Sequence, residues 1–187
     1  MKKIIFLSSF MFVNLTFAQE FKLTANNFVS KADETKNYEV IEKPGKTKEQ
    51  LFTEVKKYVT ASFKGLKFDG YNEVANEQIV LDVRNEQESN AKMFGMSLFS
   101  GFVSIRYEMN FKDGKFMIRP TFQKAETYSN NKTNTIYLTG GNFMQGSVFN
   151  KKGEVSLKQI YEMAVKTNEE FVSNLVKGVE NNSNSDW

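Results

Sequence analysis

Residues 102–122 carry the pattern of a β-hairpin, which constrains the fold more than any other stretch of the sequence. Alternate residues from Val103 to Phe111 are apolar, and the residues between them are polar. Asp113-Gly114 follows, a dipeptide that tolerates the positive φ angles of a type I′ turn. A turn closed there predicts four pairs: Phe111 with Phe116, Met109 with Ile118, Ile105 with Phe122, and Glu108 with Arg119. A shift by one residue would place apolar side chains beside polar ones, so the pattern specifies this register.

An amphipathic helix is predicted after the turn signal Pro44-Gly45. Thr47 and Gln50 have the spacing of a capping box, in which each side chain satisfies a backbone group at the start of the helix. Apolar residues at helical spacing run from Leu51 to Phe63, and Gly65 is expected to end the helix. Short strands are predicted at 38–41, 66–74 and 79–83, the last with clear alternation.

The longest helical pattern lies near the C-terminus. Apolar residues from Leu157 to Val176 form one stripe about five turns long, and Ser156 is expected to cap the helix. The chain from Gly178 onward is expected to fray. The connections 85–100 and 124–153 are predicted to be loops. The segment Met93–Phe102, which overlaps the end of the first connection, is interpreted either as an edge segment buried under a helix or as an apolar lip over a groove.

The first 18 residues have the plan of a secretory signal peptide: two lysines, an apolar run from Ile4 to Phe17, and then Ala18. The run is shorter than the roughly 20 residues that a membrane-spanning helix needs, so cleavage after Ala18 is favoured over a retained anchor. A bacterial lipoprotein needs a Cys directly after the cut, and this chain has none, so a lipoprotein is not expected. We therefore expect an exported protein, periplasmic or extracellular, with no membrane span after cleavage. Its segments are a signal peptide (1–18), an N-terminal segment or linker (19–37), one domain (38–180) and a flexible tail (181–187).

The composition removes several kinds of chemistry. With neither His nor Cys, the chain cannot form a Ser-His-Asp triad, use a Cys nucleophile or bind zinc through His or Cys. Without Lys2 and Lys3, 23 basic side chains stand against 22 acidic ones, whereas a nucleic-acid binder usually has a clear basic excess. We expect no cofactor, no metal site and no nucleic-acid partner.

Three weak motifs remain. Ser89 and Lys92 have the spacing of the Ser-x-x-Lys motif of penicillin-recognising enzymes, but its companion motifs are missing. Gly141–Gly146 has the spacing of a phosphate-binding loop without its lysine. Asp82 and Glu108 could form a carboxylate pair, although each has arginine neighbours. For all three, an interpretation without a site is favoured.

Three stretches carry a resemblance to a known family: Val40–Val59, which includes Pro-Gly and the helix start Thr-Lys-Glu-Gln-Leu-Phe, Ile79–Val83, and Tyr107–Phe116 with its Lys-Asp-Gly-Lys turn. The chain resembles a family of exported bacterial domains of unknown function, found largely in Bacteroidota, whose fold is that of one half of the TATA-box-binding protein (TBP). The resemblance implies an α+β fold in the order strand, helix, four antiparallel strands, helix. The sheet would be curved, with both helices on one face. The family brings no activity and no functional residues.

The candidate site follows from this arrangement. If both helices cover one sheet face, the other carries Arg84, Arg106, Glu108 and Arg119, with Asp82 nearby. The resemblance to TBP implies that this second face is free and concave. The arginines could grip carboxylate or phosphate groups. Alternatively they pair across strands with Asp82 and Glu108, which is favoured because charges on an exposed sheet face commonly only solvate it.

The expected function is that of a non-catalytic binding or interaction module for an unknown protein or envelope ligand. Two alternatives stay open. One is a small envelope hydrolase that uses carboxylates or a Ser-Lys pair, and the other is a structural subunit of an envelope complex.

Overall fold

The computed structural model describes residues 20–62, 68–88, 92–93, 96–97, 100–129, 132–140 and 146–181. The elements are β1 (Phe21–Thr24), β2 (Asn27–Ser30), β3 (Glu39–Glu42), α1 (Lys48–Ser62), β4 (Phe68–Val74), β5 (Gln78–Glu88), β6 (Lys92–Met93), β7 (Met96–Ser97), β8 (Ser100–Lys112), β9 (Lys115–Ser129), β10 (Lys132–Ile136) and α2 (Lys158–Asn181). Neither helix of these residues is long and apolar enough to cross a membrane.

One antiparallel sheet forms the centre of the fold. Its neighbouring strands are β10, β9, β8, β5 and β4, in that order, so β10 and β4 lie at the two ends. Strand β3 pairs with the first part of β9, on the edge where β10 pairs with its last part. The sheet is therefore open and mostly built from the long strands β5, β8 and β9.

The hairpin of β8 and β9 has the predicted register. All four predicted pairs are confirmed: Phe111 with Phe116, Met109 with Ile118, Ile105 with Phe122, and Glu108 with Arg119. The predicted type I′ turn is wrong, because Gly114 has a positive φ of 75° and Asp113 does not. Instead, the Asp113 carboxylate accepts a hydrogen bond of 2.9 Å from the Lys48 N–H at the start of α1. The turn is therefore shaped by its contact with the β3–α1 connection.

Both helices pack on one face of the sheet, as predicted. The odd-numbered residues of β8 from Val103 to Phe111 are buried on that face. Phe171 of α2 stacks on Tyr107 with ring centroids 3.8 Å apart, and Phe52 of α1 meets Phe111 edge-on at 5.5 Å. The even-numbered residues of β8 therefore point to the opposite face, since side chains alternate along a strand.

The two helices begin differently. The capping box of α1 is confirmed: the Thr47 N–H donates to Gln50 Oε1 at 2.9 Å, and the Gln50 N–H donates to Thr47 Oγ1 at 3.3 Å. Ser156 does not cap α2, because its hydroxyl donates to a backbone carbonyl of the preceding loop. The Leu157 carbonyl accepts the first helical hydrogen bond, from the Tyr161 N–H, so Leu157 is the N-cap residue.

The N-terminal segment is more ordered than predicted. Within the predicted N-terminal segment or linker, β1 and β2 form a hairpin. Phe21, Leu23 and Phe28 are at most 2 % exposed and belong to the main core, and β1 contacts α2. The prediction failed because four-residue strands give little periodic signal and are stable only through such packing.

Asn27 connects this hairpin to the part of the β9 edge that lies between its pairing with β3 and its pairing with β10. Strand β3 pairs with β9 as far as Ile118, and β10 pairs with it from Ala125 onward. Between them, the Asn27 side chain donates to the Phe122 carbonyl at 3.2 Å and accepts from the Phe122 N–H at 2.8 Å. The amide of one side chain thus replaces a neighbouring strand at this point.

Two predicted loops contain strands, and the last helix is longer than predicted. In the predicted loop 124–153, β9 continues to Ser129 and the chain then returns as β10. In the predicted loop 85–100, β5 continues to Glu88. These stretches are rich in polar residues, so the alternation of apolar and polar side chains that marks a strand is weak there. Their threonines, which favour strands, were the remaining signal. Helix α2 continues past Gly178 to Asn181, and Val179 is fully buried, so fraying from Gly178 is wrong.

Several predictions lie outside the described residues. These are the signal peptide (1–18), Gly65, Ser89 of the Ser-Lys pair, residues 141–145 of the glycine loop, and the tail from 182 onward. In the segment Met93–Phe102, β6 and β7 form a short ladder, and the side chains before Gly101 are likewise outside the described set. The domain boundaries stay a prediction.

Candidate functional site

The candidate site is the sheet face opposite the helices, which we call the open face. Because strand pairing puts residues of equal orientation side by side, the register assigns its central members. They are Asp82 and Arg84 of β5, Ser104, Arg106 and Glu108 of β8, and Arg119, Lys124 and Glu126 of β9. All four predicted site residues lie there: Arg84, Arg106, Glu108 and Arg119.

Arg106 and Asp82 form an ion pair with two hydrogen bonds on the open face. The two residues lie directly opposite each other on β8 and β5. Arg106 Nε contacts Asp82 Oδ1 at 2.7 Å, and Arg106 Nη2 contacts Oδ2 at 2.8 Å, a bidentate arrangement. The hydrogen bond and the charge of Asp82 raise the pKa of Arg106 above its usual value, with a smaller contribution from Glu108. The inner edge of the guanidinium is therefore fixed, while 43 % of the side chain stays exposed.

Arg119 and Glu108 form a second, looser pair. They lie opposite each other on β9 and β8, and Arg119 Nη1 contacts Glu108 Oε2 at 3.2 Å. Arg119 Nε is buried and has no hydrogen-bond partner among the residues that the structure describes. The cross-strand pairing that the sequence favoured is thus present for two of the three predicted arginines.

Arg84 belongs to a different environment, an aromatic cluster at one end of the open face. Its guanidinium carbon lies 3.4 Å from the centroid of the Phe102 ring, and Arg84 Nη2 donates to the Tyr128 hydroxyl at 2.6 Å. Phe102 is 1 % exposed but is not part of the main core. Arginine stacked on an aromatic ring is held in one orientation while its edge can still donate hydrogen bonds.

The sequence missed two residues of the open face for a common reason. A β-bulge in β9 shifts the pairing, so that Ile105 pairs with Phe122 but Ser104 pairs with Lys124. Beyond the bulge, the even-numbered residues Lys124 and Glu126 face the same way as Arg119, and Lys124 Nζ lies 2.5 Å from Glu126 Oε1. The spacing of three between buried Phe122 and buried Ala125 is the signal that could have revealed the bulge.

The two carboxylates predicted as a possible pair are both engaged by arginines. Asp82 and Glu108, the predicted carboxylate pair, are each engaged by an arginine rather than facing each other across a substrate-sized space. Within the described ranges, no three acidic side chains are grouped closely enough to hold a metal ion. The open face presents three guanidinium groups, each in contact with a neighbouring carboxylate or aromatic side chain.

The arrangement of strands and helices is that of a TBP-like α+β domain. Two solved structures share this fold. A TBP-like protein from Parabacteroides distasonis has 14 % identity and a TM-score of 0.53, with 77 % of this chain and 91 % of that chain covered. A DUF4468 family protein from Bacteroides ovatus has 10 % identity and a TM-score of 0.55, with 76 % and 84 % covered.

These similarities establish the fold alone, and they confirm the TBP-like architecture predicted from the sequence. No protein-family model matches the sequence, and no curated protein matches it.

Proposed function

We propose that this domain is a non-catalytic binding module that recognises its partner through the open face. We also propose that it is exported, because residues 1–18 have the plan of a cleaved signal peptide. Its partner would then be a protein or another ligand of the bacterial envelope.

The observation that carries the proposal is the fixed geometry of the arginines. Asp82 accepts two hydrogen bonds from Arg106, Glu108 pairs with Arg119, and the Arg84 guanidinium stacks on the Phe102 ring. Long flexible side chains normally lose conformational entropy on binding, and prior ordering removes part of that cost. A face built of ordered arginines and an aromatic cluster has the composition that dominates binding energy in protein interfaces.

The hydrolase alternative receives less support. Its carboxylates, Asp82 and Glu108, both accept hydrogen bonds from arginines, and a general acid or base needs a proton that can be exchanged with a substrate. The alternative of a structural envelope subunit would use the same surface and differs only in the permanence of the complex.

The test is a comparison of partner recovery from an envelope extract of the source bacterium. The test variant is Arg106→Gln with Arg119→Gln, and the matched control is Lys158→Gln with Lys166→Gln. The control removes the same charge from α2, where the two lysine side chains are 83 % and 64 % exposed. We expect the same proteins to copurify with the unmodified domain and with the control, and at least about tenfold less with the test variant.

A second variant guards against loss of folding. Replacing both pairs by amides (Asp82→Asn, Arg106→Gln, Glu108→Gln and Arg119→Gln) keeps the net charge and leaves no carboxylate unpaired. Circular dichroism and urea unfolding establish that each variant is folded. Full recovery of the same partners by both folded variants would remove the open face from consideration. N-terminal sequencing of the secreted protein tests export, with Gln19 as the expected first residue.

A further inference from the structure

Ser104 lies between three cationic residues of the open face. The register places it directly opposite Arg84 on one side and directly opposite Lys124 on the other. Arg106 lies two residues further along the same strand, on the same face. Cross-strand and next-but-one neighbours on one face have Cβ atoms within about 7 Å of each other. The short Ser104 side chain, 6 % exposed, therefore lies among the bases of three long cations.

Each of these cations is held by a different neighbour. Arg106 forms an ion pair with Asp82, and Lys124 forms one with Glu126. Arg84 stacks on Phe102 and donates a hydrogen bond to a tyrosine hydroxyl. The Lys124 ammonium lies 5.9 Å from the centroid of the Phe102 ring, on which Arg84 stacks at 3.4 Å. Arg84 and Lys124 thus converge on one ring beside Ser104.

We propose that this depression, with Ser104 as its floor and Arg84, Arg106 and Lys124 as its walls, is a binding site for an oxyanion group. Guanidinium and ammonium groups donate charge-assisted hydrogen bonds to phosphate and carboxylate oxygens, and the serine hydroxyl adds a donor at the floor. The inference rests on the proposed function, because it names the chemistry that the open face recognises. It adds Ser104 and Lys124 to the predicted site residues of this face.

The test uses the purified isotope-labelled protein without any partner, titrated with inorganic phosphate and, separately, with acetate. Ionic strength and pH are held constant, so that general screening does not change. We expect saturable shifts of the amide resonances of Arg84, Ser104 and Lys124, with a dissociation constant on the order of 1–10 mM. Saturation by phosphate alone would assign a tetrahedral oxyanion, and saturation by both anions would assign either kind of group; both results support the site.

Two variants of the site and one control decide the assignment. Ser104→Val removes the hydroxyl and fills the floor while it keeps a strand-favouring residue. Lys124→Gln with Glu126→Gln removes one wall without changing the net charge. Each is expected to weaken binding about threefold to tenfold, whereas Lys158→Gln with Lys166→Gln leaves it unchanged. Shifts that grow linearly without saturation, or saturable shifts that neither site variant weakens, would overturn the proposal.

The outcomes separate this inference from the proposed function. Loss of partner recovery in the Arg106 and Arg119 variant, together with absent anion binding, would leave the open face as the binding surface and eliminate the oxyanion site. Saturable anion binding with undiminished partner recovery would support the site and refute the open face as the partner surface.

Discussion

A single glycine allows the two helices to pack closely, and its replacement by alanine should destabilise the fold. Gly178 lies within α2, where the ring of Tyr58 from α1 crosses the helix backbone. A Cβ atom added at Gly178 would lie 2.1 Å from Tyr58 Cδ2 and 2.3 Å from Cε2. Carbon atoms in contact are normally about 3.5–4.0 Å apart, so the tyrosine ring must move away.

Two opposing effects set the magnitude. In a helix that packs against nothing, Gly→Ala stabilises by about 1 kcal/mol, since alanine loses less backbone entropy. Overpacking costs about 1–3 kcal/mol, and a clash with two ring atoms places Gly178→Ala toward the upper end. The expected net effect is a destabilisation of about 1–2 kcal/mol.

The decisive comparison repeats the substitution where Tyr58 is absent. Tyr58→Ala removes the clash together with the ring's own packing, and in that background Gly178→Ala should be stabilising by up to about 1 kcal/mol. The predicted coupling between the two substitutions is thus about 2–3 kcal/mol, and Gly178→Ala reverses its sign between the two backgrounds.

Urea unfolding followed by circular dichroism measures all four proteins, with unchanged m-values as the condition for comparing them. If Gly178→Ala stabilised the protein with Tyr58 present, the close contact between the helices would not exist and the reasoning would be refuted.

Three further predictions use the same unfolding measurement. Asn27→Gly removes both hydrogen bonds to the Phe122 backbone and should lower the free energy of unfolding by about 1–3 kcal/mol. Asn27→Ala should lower it further, because φ at this residue is 95°, which alanine disfavours. Equal stability of the two variants would contradict this. Tyr107→Phe should keep or raise stability by up to about 1 kcal/mol, since among described residues the buried hydroxyl has no partner; a loss above about 1 kcal/mol would reveal one. Hydrogen bonds from Lys36 and Thr35 lower the pKa of Asp33 to about 2, below its value in the unfolded chain. The stability that the ionised Asp33 contributes is therefore present above about pH 4 and is lost as the pH falls through 2. The stability difference between Asp33→Asn and the unmodified protein should therefore shrink over that interval, and a constant difference would contradict this.

The central hairpin was predictable from sequence because two independent signals agree there. Strict alternation from Val103 to Phe111 fixes which side chains face the helices, and the turn dipeptide fixes the pairing. The same register predicted the pair of Glu108 and Arg119, which the structure confirms. Alternation thus predicted one part of the candidate site as well as the fold.

The pair of Asp82 and Arg106 depends on information that the hairpin does not contain. Strands β5 and β8 are separated along the chain by residues 89–99, so no turn fixes their register. It depends on the packing of Ile79, Leu81 and Val83 beneath the helices, all at most 3 % exposed. Alternation placed Asp82 on the correct face, but the two hydrogen bonds to Arg106 follow only from the three-dimensional pairing of the strands.

The edge strand β4 shows that the fold accommodates this ion pair. Gly70 lies opposite Asp82, beside an irregularity in the pairing of β4 with β5, and an added Cβ atom would lie 2.9 Å from Asp82 Oδ2. Glycine in a strand is unfavourable, because it loses more backbone entropy than other residues and contributes no packing. Its presence at this point leaves room for the carboxylate to lie flat against Arg106. A Cβ atom at residue 70 would require the Asp82 carboxylate to shift, so β4, β5 and β8 all contribute to the surroundings of this ion pair.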